Sequence, residues 1–96
     1  MGSDSGGFDS GDNVVVFWRP GCGYCSRLLA KLDKLDLPLL KVNIWDDPAA
    51  AAVVRSIANG SETVPTVIVG KAGLVNPSKK EVLAAVADQA PHLLGG

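Results

Sequence analysis

The sequence predicts a single α/β domain of order βαβαββα, a four-stranded mixed sheet flanked by three helices. Three observations carry that expectation. Val14–Trp18 is an apolar, β-rich run followed by a helical stripe and a second apolar run, the pattern of a right-handed parallel crossover. Asp47-Pro48 then opens a second helical segment. Two short β-rich runs separated by four residues precede a last helix, and a connection that short joins an antiparallel pair.

The elements follow in order. Arg19-Pro20-Gly21 ends the first strand. Cys25, Leu28, Leu29, Leu32 and Leu35 then recur at helical spacing, with Arg27, Lys31, Lys34 and Asp36 between them, and Pro38 closes the helix. Leu39 to Ile44 reads as the second strand. In the second helix, Ala50, Val53, Val54 and Ile57 form the predicted buried face and Asn59-Gly60 the stop. Thr66–Val69 and Leu74–Val75 flank Gly70-Lys71-Ala72-Gly73 as a hairpin. The last helix has two competing caps, Asn76 before Pro77 and the Ser78-to-Glu81 spacing; Val82, Leu83 and Val86 give it a core face and Pro91 ends it.

Composition bounds the rest. Ninety-six residues with 47% hydrophobic content supply one core and not two. Residues 1–13 hold four Gly, three Ser, three Asp and no base, so they are expected to form a disordered tail before a domain over 14–92, with 93–96 a C-terminal tail. A formal net charge of −1 gives no footprint for nucleic acid. No apolar run is long enough for a membrane span, and no basic-then-apolar signal segment opens the chain; the expected compartment is the cytoplasm. A monomer is expected.

The chemistry lies in Gly21-Cys22-Gly23-Tyr24-Cys25. These two cysteines are the chain's only ones, and they stand three apart at the strand-to-helix junction of a βαβ unit, where a redox pair is expected. Helix geometry puts their Cα atoms about 5 Å apart, within disulfide range. Cys25 shares the apolar stripe and is expected to be covered. Cys22 precedes it, meets the unpaired N–H groups of the helix start, and is the expected nucleophile, ionised by the helix dipole with help from Arg19 and Arg27. A structural disulfide would close a loop of only four residues and be reduced in the cytoplasm. Zinc would need four ligands, and the sole His, His92, lies beyond the last helix. An iron-sulfur cluster shared between chains through Cys22 is a further alternative.

From Trp18 to Cys25, and again at Thr63-Val64-Pro65, the sequence resembles the glutaredoxin family of the thioredoxin-like superfamily. The Cys-Gly-Tyr-Cys motif, Thr-Val-Pro-Thr-Val, Asn-Pro-Ser and Ala49–Ala52 look more particularly like actinobacterial mycoredoxins. The resemblance runs from Val14 to Ala90. It implies a thiol-disulfide oxidoreductase that reduces mixed disulfides between protein cysteines and a low-molecular-weight thiol, through Cys22 with Cys25 as resolving thiol. It also implies a cis Pro65 against the cysteines, and Val64 offering backbone groups to the small thiol, with Thr63 beside it. Tyr24 would line the same site.

Glutathione-using members place a base three residues before the nucleophile, as Arg19 stands here, and Gly-Gly-x-Asp before the last helix. This chain has Val75-Asn76-Pro77-Ser78 instead, without the acid expected opposite the glutathione amine. The amide of Asn76 and hydroxyl of Ser78 suit a sugar better, which favours mycothiol, an uncharged cysteinyl pseudo-disaccharide, as co-substrate. Arg19 argues for glutathione. The expected partners are thus a small thiol and S-thiolated proteins, and no metal. The alternative activities are a thioredoxin-type or redoxin-type protein-disulfide reductase, a glutathione-dependent glutaredoxin, and an iron-sulfur carrier.

Overall fold

A computed structural model describes residues 12–94. The elements are β1 (Val14–Trp18), α1 (Gly23–Asp33), β2 (Leu39–Asn43), α2 (Pro48–Ile57), β3 (Thr66–Val69), β4 (Ala72–Val75) and α3 (Lys79–Gln89), followed by a 3-10 turn at Pro91–Leu93. The sheet order is β2-β1-β3-β4; β1 runs parallel to β2 and antiparallel to β3, and β3 antiparallel to β4. The expected βαβαββα mixed sheet is the observed one. Most of the expected tail, residues 1–11, and the last two residues of the chain lie outside the described residues.

Strand β1 is continuously apolar because both its faces are covered. Val14 and Val16 pack with Leu28 and Leu32 of α1 and Val82 and Val86 of α3, while Val15 and Phe17 pack with Ala50, Ala51 and Val54 of α2. The sheet is thus held between α1 and α3 on one side and α2 on the other. Among the described residues, no helix is long and apolar enough to cross a membrane.

Local chemistry shifts several expected boundaries. Helix α1 stops at Asp33, short of Leu35 and Pro38, and Asp36 turns the chain at φ 58°. Leu35 still packs on the core from the turn. Strand β2 stops at Asn43 because the Asn43 side chain accepts the Trp45 N–H at 2.9 Å and starts a turn, leaving Ile44 buried outside the strand. The hairpin connection is two residues, Gly70-Lys71, and not four: Gly73 lies within β4, where Ile57 comes within 3.0 Å of where a Cβ would stand. The buried face of α2 takes in Ala51, with Val53 and Ile57 only half-buried. Of the two competing caps, Ser78 is the one used. Its side chain accepts the Glu81 N–H while Glu81 accepts the Ser78 N–H, and Asn76 sits outside the helix at φ 53°.

Asp12 and Asn13 fall within the segment expected as a tail. Asp12 stands 3.5 Å from the His92 imidazole, both side chains being exposed. Leu93, beyond the expected end of the domain at 92, packs partly on the core.

Candidate active site

Cys22 is the N-cap of α1. It keeps an extended backbone, and its Sγ accepts the Cys25 N–H at 3.2 Å, so the sulfur takes the place usually held by a Ser or Asp oxygen. The sharp exit from β1 that puts it there turns through Gly21 at φ 80°, a conformation glycine adopts without a steric penalty. The first turn of α1 contains no acid, so nothing on the helix neutralises the positive partial charge facing Cys22.

Cys22 and Cys25 are joined as a disulfide with their Cα atoms 5.3 Å apart. Cys25 is 1% exposed and belongs to the core face of α1, whereas Cys22 is half-buried. A sulfur that solvent reaches thus sits one helical turn from a sulfur that it does not.

The other expected site residues separate into two groups. The Val64–Pro65 peptide is cis, and the Val64 carbonyl oxygen lies 3.9 Å from the Cys22 Sγ. The Asn76 N–H donates to the Pro65 carbonyl at 2.8 Å, tying the end of β4 to the same loop. Tyr24 and Ser78 line one cleft between α1 and the start of α3. The side chains of Arg19 and Thr63 and the polar groups of Ser78 already have partners. The Arg19 guanidinium lies 5.7 Å from the Trp45 ring centroid and donates to the Pro20 carbonyl at 3.1 Å. The Thr63 hydroxyl is hydrogen-bonded with that of Ser61, and the Ser78 oxygen and N–H both serve the helix cap.

Two residues contribute more than the sequence indicates. Thr66, fully buried at the start of β3, donates its hydroxyl to the Thr63 carbonyl at 2.7 Å and pins the loop that carries Val64. A hydroxyl at the first position of an otherwise apolar strand was the available signal. Trp45 is 63% exposed and meets Arg19, although the two are distant in sequence.

A cysteine pair at a helix start, opposed by a cis-proline loop, is fitted for thiol-disulfide exchange. The family model for glutaredoxin matches residues 14–73. The chain belongs to the glutaredoxin family. Two proteins named as glutaredoxins, from Mycobacterium tuberculosis strains CDC 1551 / Oshkosh and ATCC 25618 / H37Rv, are each 38% identical to this glutaredoxin over 72 residues, which is 74% of this chain and 86% of theirs. The Escherichia coli glutaredoxin-like protein NrdH-redoxin shares the fold at a TM-score of 0.64 and 20% identity, over 74% of this chain and 91% of its own. A buckwheat glutaredoxin solved in complex with glutathione aligns at a TM-score of 0.60 and 26% identity, over 88% of this chain and 78% of its own. This glutaredoxin is a thiol-disulfide oxidoreductase with Cys22 and Cys25 as its cysteine pair, and its family acts with low-molecular-weight thiols and protein substrates.

Proposed function

We propose that this glutaredoxin reduces mixed disulfides between protein cysteines and mycothiol, with Cys22 as nucleophile and Cys25 as resolving thiol. The observation that carries the reading is the position of the Cys22 Sγ, which accepts an α1 N–H and faces the Val64 carbonyl across the site. A helix N–H stabilises the thiolate over the thiol, and only the thiolate attacks.

In the first step the Cys22 thiolate attacks the small-thiol sulfur of the mixed disulfide. The old S–S bond breaks, the protein sulfur leaves with the electron pair and takes up a proton, and Cys22 carries the small thiol. The thiolate of a second small-thiol molecule then attacks that sulfur, giving the symmetric disulfide and restoring the Cys22 thiolate. On the dithiol branch, the Cys25 thiolate attacks the Cys22 sulfur instead, expels the small thiol and forms the Cys22–Cys25 bridge, which two further thiols reduce. Tyr24, Thr63, Val64, Pro65, Asn76 and Ser78 would surround the small thiol, with Arg19 at the rim.

Three features support mycothiol over glutathione. No acid stands at Val75-Asn76-Pro77-Ser78 to meet an amine. The nearby Glu81 carboxylate is turned onto the Ser78 N–H. The Arg19 guanidinium, the natural partner of a glutathione carboxylate, is stacked on Trp45. We place the reaction in the cytoplasm, where the reducing thiol pool resupplies Cys22, and in a single chain.

Mass spectrometry of the reduced protein, exposed to oxidised mycothiol and oxidised glutathione in competition and quenched with acid before Cys25 closes the bridge, tests the reading. The expected product is mycothiol on Cys22. A predominant glutathione adduct would overturn the choice of thiol, and an adduct on Cys25 would overturn the choice of nucleophile.

A further inference from the structure

The cleft that Tyr24 shares with Ser78 also carries cations to which the exchange reaction gives no role. Its walls are Tyr24, Arg27, Leu28 and Lys31 of α1 and Pro77, Ser78 and Lys79 at the start of α3, and it is open to solvent. Three of these seven residues are cations and none is an acid. Arg27 and Lys31 are one helical turn apart, about 6 Å along the α1 axis, and Lys79 stands on the opposite wall.

These charges are unspent. The Arg27 guanidinium lies 5.4 Å from the Tyr24 ring centroid, and among the described residues none of Arg27, Lys31 and Lys79 takes part in an ion pair. Elsewhere on the surface Lys41 and Arg55 are paired with Asp33 and Glu62. Glu81, the acid nearest in sequence to the α3 wall, is occupied by the Ser78 N–H.

We propose that this cleft docks an acidic segment of the protein substrate beside its thiolated cysteine. The inference rests on the reading that Cys22 attacks protein mixed disulfides. The cations are spread along a helical turn and across two walls, which matches several carboxylates on a peptide. A single small anion is held better by donors converging on one point. Tyr24 links the cleft to the reacting sulfur, because it stands two residues from Cys22 and lines the cleft. A substrate chain whose mixed disulfide is presented to Cys22 therefore has its flanking residues within reach, at up to about 3.5 Å of extension per residue.

The test compares two peptides of equal length carrying the same S-bound thiol, one with Asp and Glu on both sides of the cysteine and one with Ser and Gln. Both are prepared with mycothiol and again with glutathione. For the acidic peptide we expect a kcat/KM higher by about five- to tenfold at low salt, with the advantage shrinking as salt rises, because exposed charges act mainly on encounter and are screened. The double variant Lys31→Glu/Lys79→Glu should abolish or invert this preference and leave turnover of a small symmetric disulfide unchanged. Equal wild-type rates on the two peptides would overturn the proposal, as would a preference that survives the charge reversal. A parallel loss of small-disulfide turnover in the variant would also overturn it, by giving the cleft to the small thiol. Wild-type protein inactive on both peptides yet active on the small disulfide would remove the protein-substrate reading along with it.

Discussion

Replacing Ser78 with Asp separates two roles that meet in one residue. In the structure the Ser78 oxygen accepts the Glu81 N–H at 3.1 Å and the Ser78 N–H donates to Glu81 at 2.8 Å. Asp caps helices about as well as Ser, so Ser78→Asp should hold stability within about 0.5 kcal/mol, whereas Ser78→Ala loses the cap at a cost of about 1 kcal/mol. For a domain of this size that loss lowers Tm by about 4–8 °C. The new carboxylate also stands where glutathione-using members carry their acid, opposite the amine of the thiol. Ser78 is exposed, so the added attraction is that of a solvated pair, about 0.2–1 kcal/mol. That converts to a shift of about 1.4- to 5-fold toward glutathione in the ratio of the two Cys22 adducts. Thermal unfolding and the adduct competition, run on wild type and both variants, read the two effects independently. An unmoved adduct ratio in Ser78→Asp would refute the argument that the missing acid sets thiol preference. A fall in Tm as large as that of Ser78→Ala would refute the cap assignment.

Other outcomes follow from the same geometry. Cys22→Ser should abolish reduction of a mixed disulfide, while Cys25→Ser keeps it, since the small thiol can resolve the intermediate; steady-state rates on one S-thiolated peptide decide this, and equal loss in both variants contradicts the assignment. Leu32→Ala removes a fully buried side chain between α1 and the sheet and should cost about 2–5 kcal/mol in urea unfolding. Gly70→Ala should cost about 1–2 kcal/mol from the left-handed backbone alone; Gly70 has φ 57°, and a Cβ there would stand 2.9 Å from the Gln89 Cβ, so a neutral result in the same assay would contradict the tight turn.

The sequence was most legible where spacing along one element decides the outcome. Cys22 and Cys25 take opposite environments because a three-residue step on a helix that begins at Gly23 puts Cys25 on the Leu28–Leu32 face and leaves Cys22 at the cap. Asp47-Pro48 and Ser78-to-Glu81 marked helix starts for the same reason: a cap is local chemistry. Helix and strand ends set by side-chain turns were less legible. Nothing in periodicity distinguishes Leu35 in a seventh half-turn from Leu35 in a turn just past the helix, and Ile44 is buried whether or not it belongs to β2. Gly73 read as a loop residue because glycine usually is one; its reason for standing in a strand, the approach of Ile57, is a contact between distant segments.

The contacts around the cysteines that join distant segments follow from strand register. Trp18 pairs with Asn43 across the parallel β1–β2 ladder, so the segments leaving the two strands emerge side by side, and this brings Arg19 against Trp45. Phe17 pairs with Thr66 across the antiparallel β1–β3 ladder, so the residues entering β3, Val64 and Pro65, arrive where the chain leaving β1 turns into α1. Thr66 in turn pairs with Val75, which puts the Asn76 N–H on the Pro65 carbonyl. Four strand ends therefore meet at one end of the sheet, and the Cys22 sulfur is the first side chain past that end to reach a helix. A slip of one residue in β3 would exchange the side chains it presents to α1 and α3 with the one it presents to α2, and take Val64 away from Cys22. Burial of Val67 and Val69 against α1 and α3 opposes that slip. The core packing that stabilises the sheet thus also fixes the position of the Val64 carbonyl opposite the Cys22 sulfur.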